Sequence, residues 1–431
     1  MATGRTSGAS PGMRGAATAG LIVLVGLTLT NISNYLFQLA GARWLGPADF
    51  GALATLSAVI LILGMPFAAM QLATARGVAG SLALGNPDEA GVITRAVVLV
   101  TTIIAACLAV VGIILSPWLA EVLQVGNWVP VALTAATLGV AIPSMVLLGA
   151  IQGQQRYVPY SLAPLSGAVG RLVLFVLALL AGMRLSGAMG MTLVGAAITL
   201  AVCWGFLRGR LALVGPVNLH DVRTSLVGVV PTVLGLTAIT SLANVDVIVV
   251  KGALAPEVAG AFASAGLVAK VALVVPSAII PVVQSRVAAR AARVRGSRDI
   301  LVRSELVTLG FGVLFTIFTW LFAEPIVHFL YGSDYAEAIP ILPLYSACMT
   351  LLAVGTLQVN YHVTRHHHRS AYFALAVGIG QIVGLILFHA TLWQVLYVNL
   401  AAALVLIALN VVGMRGVGGD ASDPADATEP A

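Results

Sequence analysis

Two basic residues lie inside long apolar segments of this 431-residue chain, where a charge is costly. They are Arg171, in the segment SGAVGRLVLFVLALL, and Lys270, in the segment ASAGLVAKVALVV. A charged side chain in a bilayer costs about 2.5–3.5 kcal/mol on insertion scales, so it usually faces a cavity or a partner. Arginine suits bidentate contact with a phosphate, and lysine acts as a point charge. The two residues are therefore candidate anion ligands, and pairing with a carboxylate or extension to a membrane interface stays open as the alternative.

Four further polar residues in apolar segments are candidate binding residues. Asp246 could be a counter-ion of Lys270 or Lys251, a protonation site, or half of a structural salt bridge. A polar stripe recurs at about one-turn spacing near the N-terminus, formed by Asn31, Asn34 and Gln38. Such side chains either hold helices together or line a hydrated cavity, and both interpretations remain open.

Nothing in the sequence predicts a metal, a cofactor or a catalytic site. The cluster RHHHR (365–369) has three consecutive histidines, whose rings cannot all point at one ion, so it indicates a basic loop. Cys107, Cys203 and Cys348 each lie in an apolar run without the spacing of a metal or disulfide framework. Neither an acidic DxD pair nor a nucleophile with a neighbouring base occurs, which argues against an enzyme.

The composition determines the class of protein that must position these residues. The chain is 59% hydrophobic and 9% charged, whereas a soluble domain carries roughly 25% charged residues. Apolar runs near 20 residues recur along its length and lack the period-two alternation of a barrel, so they indicate spanning helices. We predict an all-α polytopic membrane protein with twelve spans, near 16–41, 49–75, 91–116, 129–151, 161–182, 186–206, 225–250, 257–285, 302–323, 339–362, 371–389 and 391–413.

The distribution of basic residues predicts the orientation. With the N-terminus in the cytoplasm, seventeen arginines lie on or near the cytoplasmic side, against Arg43, Arg184 and Lys251 outside. We therefore expect a multi-pass inner-membrane protein with both termini cytoplasmic. The net charge of +6 then reflects topology and does not indicate a nucleic-acid partner. The first 15 residues and the acidic tail 415–431 are expected to be disordered.

An internal repeat divides the chain into halves. LGPADFGAL (45–53) matches LAPEVAGAF (254–262) at an offset near 209 residues, and an apolar helix with an internal proline follows each. The offset spans six helices, an even number, so the halves have the same orientation and form a parallel repeat. This predicts two six-helix lobes around a central cavity, with a lobe at 16–210, a cytoplasmic linker at 211–224 and a lobe at 225–414.

Four strings carry a family resemblance. They are NYLFQLAGARWLGPADFGALATL (34–56), GAIQGQQRYVPYS (149–161), NVDVIVVKGALAPEVAGAFASAGLVAKV (244–271) and AEPIVHFLYGSDYAEA (323–338). In this order along nearly the whole chain, they resemble polysaccharide exporters and oligosaccharide-lipid flippases of the Wzx type. The resemblance implies the multidrug/oligosaccharidyl-lipid/polysaccharide exporter superfamily, with two six-helix lobes around a V-shaped cavity.

The resemblance also implies a cargo, a polyprenyl-linked oligosaccharide or a related cell-envelope precursor moved outward in a bacterial inner membrane. We hypothesise that Arg171 and Lys270 line the cavity and meet the diphosphate of this cargo. Polysaccharide assembly enzymes are candidate partners, and anionic membrane lipids are candidates for the basic cluster between Arg286 and Arg303.

Three functions are alternatives to an oligosaccharide-lipid flippase. A cation-coupled multidrug exporter of the same fold would need a deep acid in the N-terminal lobe, whose one deep charge is Arg171. A lipid II flippase of the superfamily usually carries two extra helices, which the sequence lacks. A membrane-embedded glycosyltransferase or polymerase would need a sizeable outer loop bearing acids, whereas the longest one here, around 323–340, is short.

Overall fold

The computed structural model describes residues 13–209, 230–280, 283, 298–365 and 369–417. All regular structure in these ranges is helical. The predicted linker at 211–224, His366–His368, most of the basic cluster between Arg286 and Arg303, and most of both predicted tails lie outside the described residues.

Long helices joined by short loops make up the described chain. Their apolar composition and the near absence of charge leave intrahelical hydrogen bonding as the way to satisfy the backbone. Within the described ranges, twelve segments are long and apolar enough to cross a membrane, which confirms the predicted class and number of spans. The helices are α1 (Met13–Leu45), α2 (Pro47–Ala83), α3 (Pro87–Ile114), α4 (Ser116–Val122), α5 (Val129–Gly153), α6 (Tyr157–Leu180), α7 (Leu185–Leu207), α8 (Val230–Ala253), α9 (Pro256–Ala269), α10 (Arg298–Leu321), α11 (Ala323–Leu330), α12 (Leu342–Thr364), α13 (Arg369–Leu387) and α14 (Leu392–Val417).

The α-helix of the eighth span is interrupted, as its internal proline predicts. The α-helix α9 gives way at Lys270–Leu273 to a 3₁₀ turn, after which the span continues to Ile280. Pro276 explains the change, because proline cannot donate to Ala272, the residue four positions earlier, and its ring crowds that carbonyl. A 3₁₀ stretch within a helix often marks a hinge, and here it begins at one of the two candidate cations.

The spans pack as two groups of six. In the N-terminal lobe, α5 packs against α2, α3 and α7, and α6 packs against α1 and α7. In the C-terminal lobe, α12 packs against α9, α10 and α14, and α13 packs against α8 and α14. Helix α2 is the main bridge, because it packs against both α8 and α9 of the other lobe. We call the side on which α1 ends and α2 begins the distal face, and the opposite side the terminal face.

The contact between the lobes follows α2 along its length. Near the distal face, the Thr55 hydroxyl donates to the carbonyl of Val247 at 3.3 Å. Near the terminal face, Ala69 and Ala73 are buried against Val233. The two helices thus run antiparallel in contact.

Two glycines that the repeat makes equivalent meet at this contact. A Cβ added at Gly51 would lie 2.9 Å from the backbone nitrogen of Gly260, and one at Gly260 would collide with the Pro47 carbonyl. Equivalent residues can contact each other only close to the axis that relates the two halves. The match that revealed the repeat in the sequence is therefore also the point where the lobes touch backbone to backbone.

Candidate functional site

Arg171 is held between two helices of the N-terminal lobe. Its Nη2 donates to the Oδ1 of Asn34 at 2.8 Å, and its guanidinium lies 4.0 Å from the ring centroid of Phe37. A glycine on α7 makes room for it, since a Cβ at Gly195 would come 2.8 Å from the Cβ of Arg171. Its Nε is buried without a hydrogen-bond partner among the described residues. The cation is thus positioned by an amide and an aromatic ring, and not by a carboxylate.

Lys270 has a similar partner in the C-terminal lobe. Its Nζ donates to the Oδ1 of Asn244 at 2.8 Å, and the amide nitrogen of Asn244 is tied to the carbonyl of Thr240. This second bond fixes which amide atom faces the ammonium. Asp246 is near enough to attract Lys270 electrostatically, yet these two described residues form no direct ion pair. Of the alternatives open for Lys270, pairing with a carboxylate is the one that the geometry does not support.

Asp246 is the centre of a buried hydrogen-bond network. Its side chain is fully buried, and its Oδ2 accepts from the Tyr345 hydroxyl at 2.6 Å and from the Asn399 amide at 2.7 Å. Gln381 extends the network, donating to the Oδ1 of Asn399 at 2.8 Å and to the carbonyl of Leu242. Four spans are joined in this way. Of the interpretations open for Asp246, a direct salt bridge with Lys270 or Lys251 is not observed among the described residues, and neutral donors surround the carboxylate instead.

The polar stripe on α1 divides into three different environments. Asn31 is exposed, Asn34 accepts from Arg171, and Gln38 donates to the Ser57 hydroxyl on α2 at 3.1 Å. Only Gln38 joins α1 to α2, in agreement with the interpretation that such residues hold helices together. Asn31 faces away from the neighbouring helices, and Asn34 faces Arg171. The structure thus gathers Asn34 and Arg171 in one lobe and Lys270 and Asp246 in the other.

A cavity of about 430 Å³ lies between the lobes at the distal face, and the six candidate residues do not line it. Its charged lining residues are Asp49, Arg184 and Lys251. The Nε of Arg184 donates to Asp49 at 2.9 Å. In the sequence, Arg184 indicates only the orientation of the chain, and Lys251 indicates the orientation and is one candidate counter-ion of Asp246. No short-range motif brings these two cations together. We call this space the distal cavity.

Aromatic side chains and one arginine close the distal face beside this cavity. The Tyr335 hydroxyl donates to the Ala42 carbonyl at 2.6 Å, and Arg43 donates to the Phe329 carbonyl at 2.7 Å. The Phe50 ring packs on Tyr335 with centroids 6.2 Å apart. Burial raises the pKa of the Tyr335 phenol, so it stays a neutral donor. These contacts join the lobes where α1 ends.

Several residues of these sites were not singled out by the sequence analysis. Phe37, Tyr345 and Asn399 contribute as much to the observed geometry as the residues that were. A usable signal existed for two of them: Tyr345 and Asn399 are polar groups in apolar spans, as Asp246 is. Phe37 carries no such signal, because an aromatic residue in an apolar span is ordinary.

Solved membrane transporters share this fold at low sequence identity. The inward-facing conformation of a multidrug resistance MATE family transporter of the MOP superfamily aligns with a TM-score of 0.76 and 14% identity, covering 93% of this chain and 100% of that one. The outward-facing conformation of a MATE transporter gives a TM-score of 0.65 at 15% identity, covering 92% and 96%. The lipid II flippase MurJ in an inward closed conformation gives 0.69 at 12% identity, covering 92% and 87%.

Sequence comparison identifies the family. A search of curated protein sequences finds no significant match. The family described as "Polysaccharide biosynthesis protein" matches residues 41–340, which is more than half of the chain and includes parts of both lobes. The chain is therefore a member of the polysaccharide biosynthesis protein family, built on the fold of the MOP superfamily transporters.

Proposed function

We propose that this protein is a flippase that moves a polyprenyl-linked oligosaccharide, or a related cell-envelope precursor, from the inner to the outer leaflet by alternating access. The family membership supports a role in polysaccharide biosynthesis. The fold is shared with solved proteins described as a lipid II flippase and as multidrug transporters. Transport, and not chemistry on the cargo, is the function that a duplicated six-helix architecture serves best.

One observation supports the proposal most directly. Each lobe carries a cation within a span, and each cation is bonded to an asparagine oxygen and not to a carboxylate. An amide positions a charge without neutralising it, so Arg171 and Lys270 keep their attraction for an anion. A diphosphate is the anionic part of a polyprenyl-linked sugar, and its charge is the main electrostatic barrier to crossing hydrocarbon.

The arrangement of the distal face supports a starting state that is closed at this face. The lobes are joined at the distal face through Tyr335, Arg43 and the Gly51–Gly260 contact. The TM-score is also higher for the alignment with an inward-facing MATE structure than for the alignment with an outward-facing one. We place the distal face outside and both termini in the cytoplasm of a bacterial inner membrane, as the arginine distribution predicts. The lobes of the working unit are then 16–210 and 225–414.

The multidrug exporter remains the alternative that the fold allows. The buried acid Asp246 lies in the C-terminal lobe, not in the N-terminal lobe where such a protein would need an acid against a cationic drug, and its carboxylate is enclosed by Tyr345 and Asn399. A cationic drug would also meet Arg171 and Lys270. The charges inside the spans therefore favour an anionic cargo.

Reconstitution tests the proposal. Purified protein is placed in liposomes with a lipid-linked oligosaccharide confined to the inner leaflet, and a lectin added outside reports the sugar that has crossed. We expect time-dependent lectin binding that protein-free liposomes do not show. Liposomes that expel a cationic dye while the glycolipid stays in the inner leaflet would support the multidrug exporter instead.

A further inference from the structure

The distal cavity has the size and the position of a ligand site. Its volume of about 430 Å³ falls within the range of about 300–1,000 Å³ typical of small-molecule pockets. It is lined from both lobes, by Asp49 and Arg184 on one side and Lys251 and Pro256 on the other. It therefore exists in this form only while the lobes meet at the distal face.

Lys251 is buried in the wall of this cavity with its hydrogen-bonding capacity largely unused. Its exposed fraction is 1%, and its ammonium group makes one long contact, 3.4 Å to the Ala48 carbonyl. An ammonium has three donors, and buried donors in proteins are normally paired. Asp49 and Glu257 attract Lys251 electrostatically, yet neither of these described residues forms a direct ion pair with it.

Arg184 binds the one carboxylate that lines the cavity. Its Nε binds Asp49 and its Nη2 donates to the Leu45 carbonyl, so the one carboxylate that lines the cavity already has a partner. The Arg184 side chain is itself 74% exposed and can turn towards a ligand. The lining thus has two cations and one anion, and Lys251 is the charge without a counter-ion in contact.

Four helix N-termini add to the positive potential. Spans that run from the distal to the terminal face have their N-termini at the distal face. The first residues of four of them, α2, α5, α7 and α9, contribute to the cavity wall. The first N–H groups of a helix lack intrahelical acceptors, and each N-terminus carries roughly half a positive charge. Among the lining residues, the Ser186 hydroxyl and the Asn127 amide are uncharged groups that suit sugar hydroxyls.

We propose that the distal cavity is an anion site for a phosphorylated sugar or a lipid phosphate group, with Lys251 as its principal ligand and Arg184 as its second. Because the two cations belong to different lobes, an anion that contacts both bridges the lobes and stabilises the distal-closed state. Identifying the anion as the head group of exported cargo rests on the flippase function proposed above. The existence of the anion site does not.

Binding of hexose 1-phosphate to the purified full-length protein tests the site. The ligand binds only the closed, folded form, so the melting temperature should rise as the logarithm of one plus the ratio of ligand concentration to Kd. We expect Lys251→Gln to raise the Kd at least about tenfold, which corresponds to about 1.4 kcal/mol. Arg208→Gln removes an exposed charge at the end of α7, on the terminal face, and should leave the Kd unchanged.

An unchanged Kd in Lys251→Gln would overturn the proposal. If that variant does not fold, Arg184→Gln decides, because its exposed side chain can be replaced without disturbing the packing. We expect a smaller rise in Kd for Arg184→Gln, and no rise would count against the site. Equal affinity for inorganic phosphate and hexose 1-phosphate would show that the site does not recognise the sugar, and would overturn that part of the proposal.

The source of the anion is tested in nanodiscs. Stabilisation by phosphatidylglycerol that excludes hexose 1-phosphate would assign the site to a lipid phosphate group. Binding of hexose 1-phosphate that is equal in phosphatidylglycerol and phosphatidylcholine nanodiscs would assign it to a phosphorylated sugar. If the Lys251→Gln protein loses binding but still translocates the lipid-linked oligosaccharide, anion binding at this site is not required for transport. The anion site and the flippase function would then stand independently of each other.

Discussion

The two lobes place different chemistry at equivalent positions. The offset of 209 that aligns Gly51 with Gly260 also aligns Phe37 with Asp246, without a gap between these positions. In the N-terminal lobe, Phe37 stacks under the Arg171 guanidinium. In the C-terminal lobe, Asp246 accepts hydrogen bonds from Tyr345 and Asn399. The same point of the fold thus supports a cation in one half and buries a carboxylate in the other.

This difference suggests a division of labour between the lobes. Arg171 has a ring and an amide beside it and retains an unused buried donor, Nε, so it is prepared for an anionic ligand. Asp246 is enclosed by donors from neighbouring spans, which is the pattern of a group that stabilises its lobe. Lys270 lies between the two cases, bonded to Asn244 at the start of the 3₁₀ turn and attracted by Asp246.

The largest expected effect comes from removing both cations. Arg171→Ala with Lys270→Ala should fold and insert but lose translocation of the lipid-linked oligosaccharide. A hydrogen bond to a charged group contributes about 2 kcal/mol, so each loss should slow transport roughly thirtyfold and the pair roughly a thousandfold. Lectin accessibility in liposomes measures the rate, with Arg208→Ala as the exposed control. A double variant that translocates as fast as the wild type would refute the role of Arg171 and Lys270 in transport.

The second effect tests whether Asp246 stabilises the C-terminal lobe. Asp246→Ala leaves the Tyr345 and Asn399 donors without their acceptor, at a cost of about 1–3 kcal/mol for each buried group. We expect a clear fall in melting temperature. The rate of translocation per folded molecule should change much less than in Arg171→Ala. A variant that is fully stable but inactive would assign Asp246 to transport and not to the stability of its lobe.

The third effect concerns the axis that relates the two lobes. Gly260→Ala should disfavour the distal-closed state, because the new Cβ would collide with the Pro47 backbone, which cannot move aside as a flexible side chain can. A cysteine introduced at Ala52, which lines the distal cavity, should then react faster with a membrane-impermeant thiol reagent. Gly310→Ala is the matched control, since its Cβ would meet no atom within 4 Å. Equal labelling in the two variants would argue against closure at this contact.

The smallest effect separates the two interpretations of the polar stripe. Gln38→Ala loses its bond to Ser57 and should cost about 1 kcal/mol of stability. Asn31→Ala removes an exposed side chain and should leave stability within about 0.5 kcal/mol. If Asn31 contacts the sugar, its variant slows transport while its melting temperature is unchanged. A loss of stability in Asn31→Ala equal to that of Gln38→Ala would favour a purely structural stripe.

Much of the fold could be predicted because it depends on local physics. Twelve apolar runs and a gapless match around Gly51 and Gly260 suffice for the spans and the repeat. The partners of the polar residues could not be predicted, because they depend on which helices pack together. Asn34 reaches Arg171 across 137 positions of sequence, and Asn399 reaches Asp246 across 153. The distal cavity was missed for the same reason, since loops and helix ends from both lobes form it.

The most direct test of the flippase function is made in the host cell. The gene is deleted, the strain is complemented with the wild-type protein or with Arg171→Ala/Lys270→Ala, and polyprenyl-linked glycans are measured by mass spectrometry with leaflet-specific labelling. We predict that one lipid-linked oligosaccharide accumulates on the cytoplasmic side in the deletion and in the double variant, and that the wild-type protein clears it. An unchanged lipid pool in the deletion strain, accompanied by new sensitivity to cationic drugs, would contradict the flippase function.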